Sequence, residues 1–129
     1  MIKIFEDTRG KLVPLDFSNL IFNPKRVFSV FDVPKNEIRG NHAHFNTIQF
    51  IICLKGEILV GLDYSNKKEQ IKLLPGDSIL IDKLIWGWQQ FLTGDEYMLV
   101  LCSTFYDAND YILDKNLYYK IKNNEIEYD

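Results

Sequence analysis

The sequence predicts an all-β fold, a sandwich or barrel of short antiparallel strands. Many short segments rich in β-branched and aromatic residues are separated by turn clusters, of which Pro75-Gly76-Asp77 is a clear example. Hydrophobic residues make up 47% of the 129 residues, which is enough for a sizeable core. A chain of this length is typical of one domain, so we expect residues 1–129 to form a single domain.

The predicted elements follow one another as strand, turn and strand. Two apolar segments, residues 2–5 and 12–15, flank a turn-like cluster and predict a hairpin or a pair of edge strands at the N-terminus. The other predicted strands cover residues 26–32, 48–54, 57–64, 69–74, 78–82, 85–91 and 96–105. Only residues 109–115 look helical, with Asp107 or Asn109 as the N-cap.

Charge and composition argue against several classes of function. The formal net charge is −3 and no basic, aromatic-rich patch is present, so we expect no nucleic-acid partner. No apolar run approaches the roughly 18 residues of a membrane span, and acidic residues come too early for a secretory signal. Cys53 and Cys102 lie within apolar runs, which favours buried free thiols. Together these features predict a cytoplasmic protein that does not bind membranes.

The polar motif Arg39-Gly40-Asn41-His42-Ala43-His44 is the strongest functional candidate. Its two histidines are the only ones in the chain. On a strand, the period of two directs both imidazoles to the same face. An apolar run follows Gln49, so the motif lies where a polar turn enters a core strand. We therefore predict a functional pocket that contains His42 and His44.

The chemistry of this motif favours proton transfer over metal binding. A divalent metal at such a site needs three or four nitrogen or oxygen ligands, and Gln49 is a poor one beside two imidazoles. We therefore expect neither a metal nor another cofactor. Neutral imidazoles exchange protons near neutral pH, which suits isomerisation through an enediolate. Arg39 would stabilise the developing oxyanion or bind a phosphate, and Gln49 would donate to a substrate oxygen or orient an imidazole.

The two tryptophans allow a further hypothesis about the ligand. Trp86 and Trp88 alternate on a predicted strand, so both could face the cavity and stack on a base or a sugar. The competing interpretation is that both are ordinary core residues.

The motifs resemble those of the cupin superfamily, and within it the dTDP-sugar 3,4-ketoisomerases. In metal-binding cupins a glutamate stands at the place of Gln49 and a third histidine at the place of Gly87. The features that carry the closer resemblance are Asp7-Thr8-Arg9-Gly10-Lys11-Leu12, Arg26-Val27-Phe28, the Arg39 to His44 motif with Gln49, Gly56, Leu62-Asp63, Trp86, and the ending Ser103-Thr104-Phe105-Tyr106-Asp107-Ala108-Asn109-Asp110-Tyr111-Ile112.

The resemblance implies a cupin jelly-roll barrel with a short C-terminal helix and a metal-free enzyme. It would move the carbonyl of dTDP-4-keto-6-deoxyglucose from C4 to C3 in deoxyaminosugar biosynthesis for lipopolysaccharide or another glycan. His42 would be the C3 base and His44 would return a proton to C4. The substrate-binding residues would be Arg39, Gln49, Trp88 and Arg9. The resemblance further implies a homodimer that exchanges its N-terminal strands.

The chain departs from this family at three positions. Family members commonly carry tyrosines where this chain has Ser29 and Phe31, and a histidine where it has Gly87. Either the two histidines suffice, or a nearby tyrosine or a water substitutes, or the configuration at C4 of the product differs. The alternative functions are an epimerase acting on a related nucleotide sugar and a non-catalytic cupin that binds nucleotide sugars.

Overall fold

The computed structural model describes residues 2–124, and antiparallel strands are their main secondary structure. The strands are β1 (Phe5–Asp7), β2 (Gly10–Leu12), β3 (Arg26–Phe31), β4 (Ile38–His44), β5 (Gln49–Lys55), β6 (Ile58–Asp63), β7 (Lys68–Leu73), β8 (Ser78–Ile81), β9 (Trp86–Phe91), β10 (Tyr97–Cys102) and β11 (Tyr111–Ile112). Two 3₁₀ turns, Phe17–Asn19 and Ala108–Asp110, and a C-terminal helix α1 (Lys115–Lys122) complete the fold. Within residues 2–124 no helix has the length and hydropathy that crossing a bilayer requires.

Two antiparallel sheets enclose the core. One has the strand order β3-β10-β5-β8 and the other the order β11-β4-β9-β6-β7. Their inner faces contribute apolar side chains to one cluster, because alternate residues of each strand point inward. The fully or almost fully buried members of that cluster include Ile51, Cys53, Ile58, Val60, Phe91, Val100 and Cys102. The predicted all-β class and its short C-terminal helix are confirmed, and the sheets match the jelly-roll arrangement.

The N-terminal hairpin is also present, although its strands lie closer to the turn than predicted. β1 pairs with β2, with Phe5 opposite Leu12 and Asp7 opposite Gly10. The hairpin forms its own two-stranded sheet, and the side chains of Phe5 and Leu12 are 48% and 61% exposed. No other part of residues 2–124 therefore covers these two side chains fully.

The predicted helix at residues 109–115 is wrong. Asp107 does cap a helical turn, since its carboxylate accepts a hydrogen bond from the Asn109 amide (2.9 Å), but the turn is a single 3₁₀ turn. Tyr111 and Ile112 then pair with β4 as strand β11. The gain from completing this ladder and burying Ile112 outweighs the local preference for helix, a preference that tertiary contacts often override.

The α-helix begins at Lys115, six residues later than predicted. Asp114 is its N-cap, and its carboxylate accepts from the amides of Asn116 (2.9 Å) and Leu117 (3.3 Å). The buried residues Tyr118 and Ile121 pack the helix against the outer face of the five-stranded sheet.

A buried carboxylate fixes the loop between β9 and β10. Glu96 is 1% exposed and accepts hydrogen bonds from the amides of Thr93 (2.8 Å), Gly94 (2.8 Å) and Glu57 (3.1 Å). Burial alone would raise the pKa of Glu96, but these donors and the Thr93 hydroxyl lower it to about 2. The carboxylate thus serves as the common acceptor for the amides that shape this loop.

Candidate active site

A β-bulge in β4 places the motif residues on one face. Arg39 pairs with Gln89 and Gly40 with Trp88, but His42 then pairs with Gly87, so β4 carries one extra residue between them. Gly40 and Asn41 absorb the bulge with positive φ angles of +91° and +59°. Arg39 and His42 are three residues apart and would point to opposite faces of a regular strand, but the bulge turns both toward the interior.

These residues line one cavity of about 290 Å³. Polar groups of Arg39, His42, Gln49, Gln89 and Tyr111 lie along its wall. The remaining lining is apolar and comes mainly from β3, β5 and β10, namely Phe28, Val30, Ile51, Met98 and Val100. A much smaller space of about 10 Å³ lies deeper, next to His42 and His44. The structure therefore brings Arg39, His42 and Gln49 together and places His44 directly behind them.

Asp110 holds His44 in place. Oδ2 of Asp110 lies 3.0 Å from Nδ1 of His44, and the two side chains are 7% and 5% exposed. The same carboxylate accepts from the Asn46 amide (2.7 Å) and from the Thr47 hydroxyl. Burial would raise the pKa of Asp110, but these donors together with His44 lower it. Asp110 is therefore an anion at neutral pH, and Nδ1 of His44 is its hydrogen-bond donor.

Both imidazoles are neutral at pH 7. Burial lowers the pKa of His42. Burial and the neighbouring His42 lower the pKa of His44 to about 4, against the opposing effect of Asp110. Among the residues that the structure describes, Nε2 of His44 is buried without a hydrogen-bond partner. A neutral imidazole with a free nitrogen is the form that accepts a proton.

Tyr111 and Arg26 complete the surroundings of the two histidines. The Tyr111 ring centroid lies 5.1 Å from that of His42 and 4.4 Å from that of His44, and the two imidazoles are 4.9 Å apart. The Arg26 guanidinium lies 3.3 Å from Sγ of Cys102. Burial would lower the pKa of Arg26, but hydrogen bonds to Cys102 and Tyr111 raise it. The sequence suggested no role for Asp110 or Arg26 and only a packing role for Tyr111, although all three lie within the segments that carry the family resemblance.

Gln49 lies between the two cavities. Its side chain is 7% exposed, and Nε2 lies 3.8 Å from Sγ of Cys102. This placement fits the predicted role of an amide that meets either a ligand or an imidazole.

Trp86 and Trp88 do not face the cavity, and this part of the prediction is wrong. Gly87, Gln89 and Phe91 are the inward residues of β9, so the alternation turns both indoles to the outer face. The Trp88 indole covers Gly61, where a Cβ atom would lie only 1.9 Å from the ring. Trp86 packs against Tyr118 of the helix, with ring centroids 5.7 Å apart. Trp88 is therefore a packing residue within the protomer and lies outside the cavity.

Arg9 also lies away from the cavity within the protomer. It is in the exposed turn of the N-terminal hairpin, and its guanidinium pairs with Asp7 at 2.6 Å. Ser29 and Phe31 lie on the outer face of β3, where Tyr97 stacks on Phe31 and donates to the Ser29 hydroxyl (3.4 Å). A tyrosine at either β3 position would consequently point away from the cavity.

Metal-ligating side chains do not converge in the described part of the chain. No group of three or more His, Cys, Asp or Glu side chains within residues 2–124 has an arrangement that could hold a metal ion. The site offers two imidazoles, a carboxylate held by three donors, an arginine and two amides, a set suited to moving protons beside a developing negative charge.

A family model and a curated relative show the family of this chain. The family model FdtA, described as "WxcM-like, C-terminal", matches residues 1–123. A curated relative, TDP-4-oxo-6-deoxy-alpha-D-glucose-3,4-oxoisomerase of Aneurinibacillus thermoaerophilus, is 37% identical over 108 residues, which are 82% of this chain and 78% of the relative.

Solved structures of sugar 3,4-ketoisomerases have the same fold. WlaRA, a TDP-fucose-3,4-ketoisomerase from Campylobacter jejuni, is 31% identical with a TM-score of 0.83, and the match covers 95% of this chain and 93% of that one. QdtA from Thermoanaerobacterium thermosaccharolyticum, in complex with TDP, is 30% identical with a TM-score of 0.86 over 98% of this chain and 93% of that one. A histidine-to-asparagine mutant of QdtA was solved in complex with TDP-4-keto-6-deoxyglucose and superimposes equally well, with a TM-score of 0.86, 29% identity and coverage of 98% and 94%.

Proposed function

Since this chain belongs to the FdtA, WxcM-like family, we propose that it is a sugar-nucleotide 3,4-ketoisomerase acting on dTDP-4-keto-6-deoxyglucose. The observation that carries the proposal is the cavity in which Arg39, His42 and Gln49 meet, with His44 behind them. A relative with 37% identity is a 3,4-oxoisomerase, and a structural neighbour holds this sugar nucleotide. The keto sugar has an acidic proton next to its carbonyl, and the imidazoles are bases that can remove it.

The proposed reaction moves one proton between neighbouring carbons. An imidazole removes the C3 proton, which is acidic because C3 is α to the C4 carbonyl, and the electrons form an enediolate with charge on O4. Transfer of the O3 hydroxyl proton to O4 and protonation at C4 then leave the carbonyl at C3 and a hydroxyl at C4. We assign proton removal at C3 to His42, because it lines the larger cavity. The proton then passes from His42 to the neighbouring neutral His44, which returns it to C4.

Arg39 and Gln49 are the proposed substrate-binding groups of the cavity. The Arg39 guanidinium lies at the exposed end of the motif, where it can oppose the enediolate charge or bind a phosphate oxygen. Gln49 offers an amide donor deeper in the cavity.

Proton NMR in heavy water tests the proposed function directly. The protein is incubated with dTDP-4-keto-6-deoxyglucose in heavy water, and the signals of sugar C3 and C4 are followed. We expect the C3 proton signal to disappear and a 3-keto product to form, with couplings that give its configuration at C4. Exchange at another carbon without movement of the carbonyl would favour an epimerase instead. Tight binding without any exchange would favour a non-catalytic binding protein.

The same proposal includes a homodimer with exchanged N-terminal strands. The outer face of the four-stranded sheet exposes several large apolar side chains, namely Val27 (58%), Phe31 (52%), Leu80 (38%) and Tyr97 (37%). Phe5 and Leu12 of the hairpin are also exposed. If the hairpin of one chain packed on the outer sheet face of a second copy, both sets of apolar side chains would be buried. The exchange would also carry Arg9, the remaining predicted substrate-binding residue, toward the partner's site.

Light scattering tests this assembly. We expect a mass of twice one chain for the intact protein. Val27→Asp should weaken the dimer because it buries a charge at the proposed interface. Removal of residues 2–12 should weaken it as well if the strands are exchanged. A truncated protein that dimerises as tightly as the intact one would exclude the exchange, and a monomeric intact protein would exclude the dimer.

The cellular setting follows from the same proposal. Cys53 and Cys102 are buried and free, which fits a reducing compartment, so we assign the protein to the cytoplasm. There it would prepare a 3-keto sugar for amination in deoxyaminosugar biosynthesis, for lipopolysaccharide or another glycan.

A further inference from the structure

The two carboxylate oxygens of Asp110 have different hydrogen-bond partners. Oδ1 accepts from the Asn46 backbone amide at 2.7 Å. Oδ2 faces Nδ1 of His44 at 3.0 Å and also accepts from the Thr47 hydroxyl. The Asn46 amide donates to Oδ1 whether His44 is neutral or protonated. The orientation of the Asp110 carboxylate therefore does not depend on His44.

An ionised carboxylate at this position determines where His44 carries its proton. A carboxylate only accepts hydrogen bonds, so the neutral imidazole must place its single N–H on Nδ1. Its lone pair is then on Nε2, the nitrogen that is buried without a hydrogen-bond partner among residues 2–124. His44 borders the small inner space beside His42, Gln49 and Gln89.

We infer that Asp110 is a positioning residue, which fixes His44 in the Nδ1–H tautomer and thereby leaves Nε2 as the nitrogen that exchanges protons during turnover. The carboxylate also opposes the positive charge that His44 acquires whenever Nε2 takes up a proton. Asp110 reaches His44 from a 3₁₀ turn that is 66 residues away along the chain, and neither residue depends on a bound ligand for the contact. The tautomer of His44 does not depend on the proposed function, whereas the expected effect of Asp110 on turnover rests on it.

The variant Asp110→Asn keeps the shape of the side chain but removes its charge and reverses its hydrogen bond with His44. The backbone amide of Asn46 still requires an acceptor, so the carboxamide oxygen of the new side chain stays at the Oδ1 position. Its NH₂ group then faces Nδ1 of His44 and donates to it, and the Thr47 hydroxyl can turn to accept. The imidazole proton must consequently move to Nε2, so the shape of the site is kept and the proton-accepting nitrogen is lost.

Long-range ¹H–¹⁵N correlation spectra of histidine-labelled protein, recorded at neutral pH without substrate, measure this directly. We expect the Nδ1–H tautomer for His44 in the wild type and the Nε2–H tautomer in Asp110→Asn. Steady-state kinetics with the nucleotide sugar should then show kcat lower by about 10²–10⁴-fold with little change in KM, because the lost group acts on the chemical step. Asp107→Asn is the matched control, since Asp107 caps the same 3₁₀ turn without touching His44.

Each outcome decides the inference. An Nε2–H tautomer in the wild type overturns it, and this spectrum needs no variant to fold. An unchanged tautomer in Asp110→Asn, or a changed tautomer with unchanged kcat, also overturns it. If the wild type does not turn over the nucleotide sugar at all, the proposed function fails, and the spectra alone then decide whether Asp110 positions His44.

Discussion

Replacement of His42 or His44 by alanine is expected to lower turnover of dTDP-4-keto-6-deoxyglucose by about 10²–10⁴-fold each, the usual contribution of a positioned acid or base. Burial keeps both imidazoles neutral at pH 7, and no other histidine exists in the chain to replace them. The double variant should lose little more than the more damaging single one, because the two residues act as a unit. The measurement is kcat at saturating substrate.

Thermal unfolding of the same variants is the necessary control. His44→Ala leaves Asp110 with one donor fewer in a buried place, so a loss of about 1–3 kcal/mol in the free energy of unfolding is expected for it. His42 has no ionic partner within residues 2–124, so His42→Ala should lower the free energy of unfolding by less. Lys83→Ala, an exposed change on the loop before β9, should leave turnover unchanged. A double variant with full activity would exclude the imidazoles from the reaction.

The largest loss of stability is expected for Glu96→Ala, about 3–5 kcal/mol in the free energy of unfolding at pH 7. The alanine leaves the amides of Glu57, Thr93 and Gly94 without their common acceptor, which is itself 1% exposed. Urea unfolding at several pH values measures the effect. Glu69→Ala is the matched control: this carboxylate is exposed and accepts one hydrogen bond, from Tyr64, so its loss should cost under about 1 kcal/mol.

The pH dependence of this difference has a definite sign. The folded-state pKa of Glu96 is lowered to about 2, whereas the unfolded value is about 4.3. A lowered folded-state pKa contributes stability above the unfolded pKa, and that contribution is lost as the pH falls from about 4.3 through about 2. The gap between the wild type and Glu96→Ala should therefore narrow in acid. A gap that is constant down to pH 2 would mean that the charge of Glu96 has no part in its effect.

Most strands were predictable because alternation and turn residues are properties of a single segment of the chain. The alternation in residues 26–31 and the turn at Pro75-Gly76-Asp77 correspond directly to β3 and to the turn before β8. The helix was misplaced because Tyr111 and Ile112 become a strand only through pairing with β4. That partner is about 70 residues earlier in the chain, beyond the range of a pattern confined to one segment.

The candidate site was predictable where its residues are neighbours in sequence. His42 and His44 form a recognisable pair by themselves, whereas Asp110 and Tyr111 reach them only in the folded chain. The prediction for Trp88 was wrong because alternation gives two faces without saying which one is inside. Gly61, which lies opposite Trp88 and beneath its indole, is the residue that would have indicated the outer face.

The bulge at Gly40 and Asn41 determines how this constellation could be transplanted. Grafted with its present spacing onto a regular strand of another protein, the motif would present Arg39 on one surface and both histidines on the other. A straight strand would need an arginine two or four residues before the first histidine. To keep three residues between them, the host must supply a glycine that adopts a φ near +91° and a neighbour that tolerates one near +59°. A successful graft must therefore transfer the β-bulge together with the side chains.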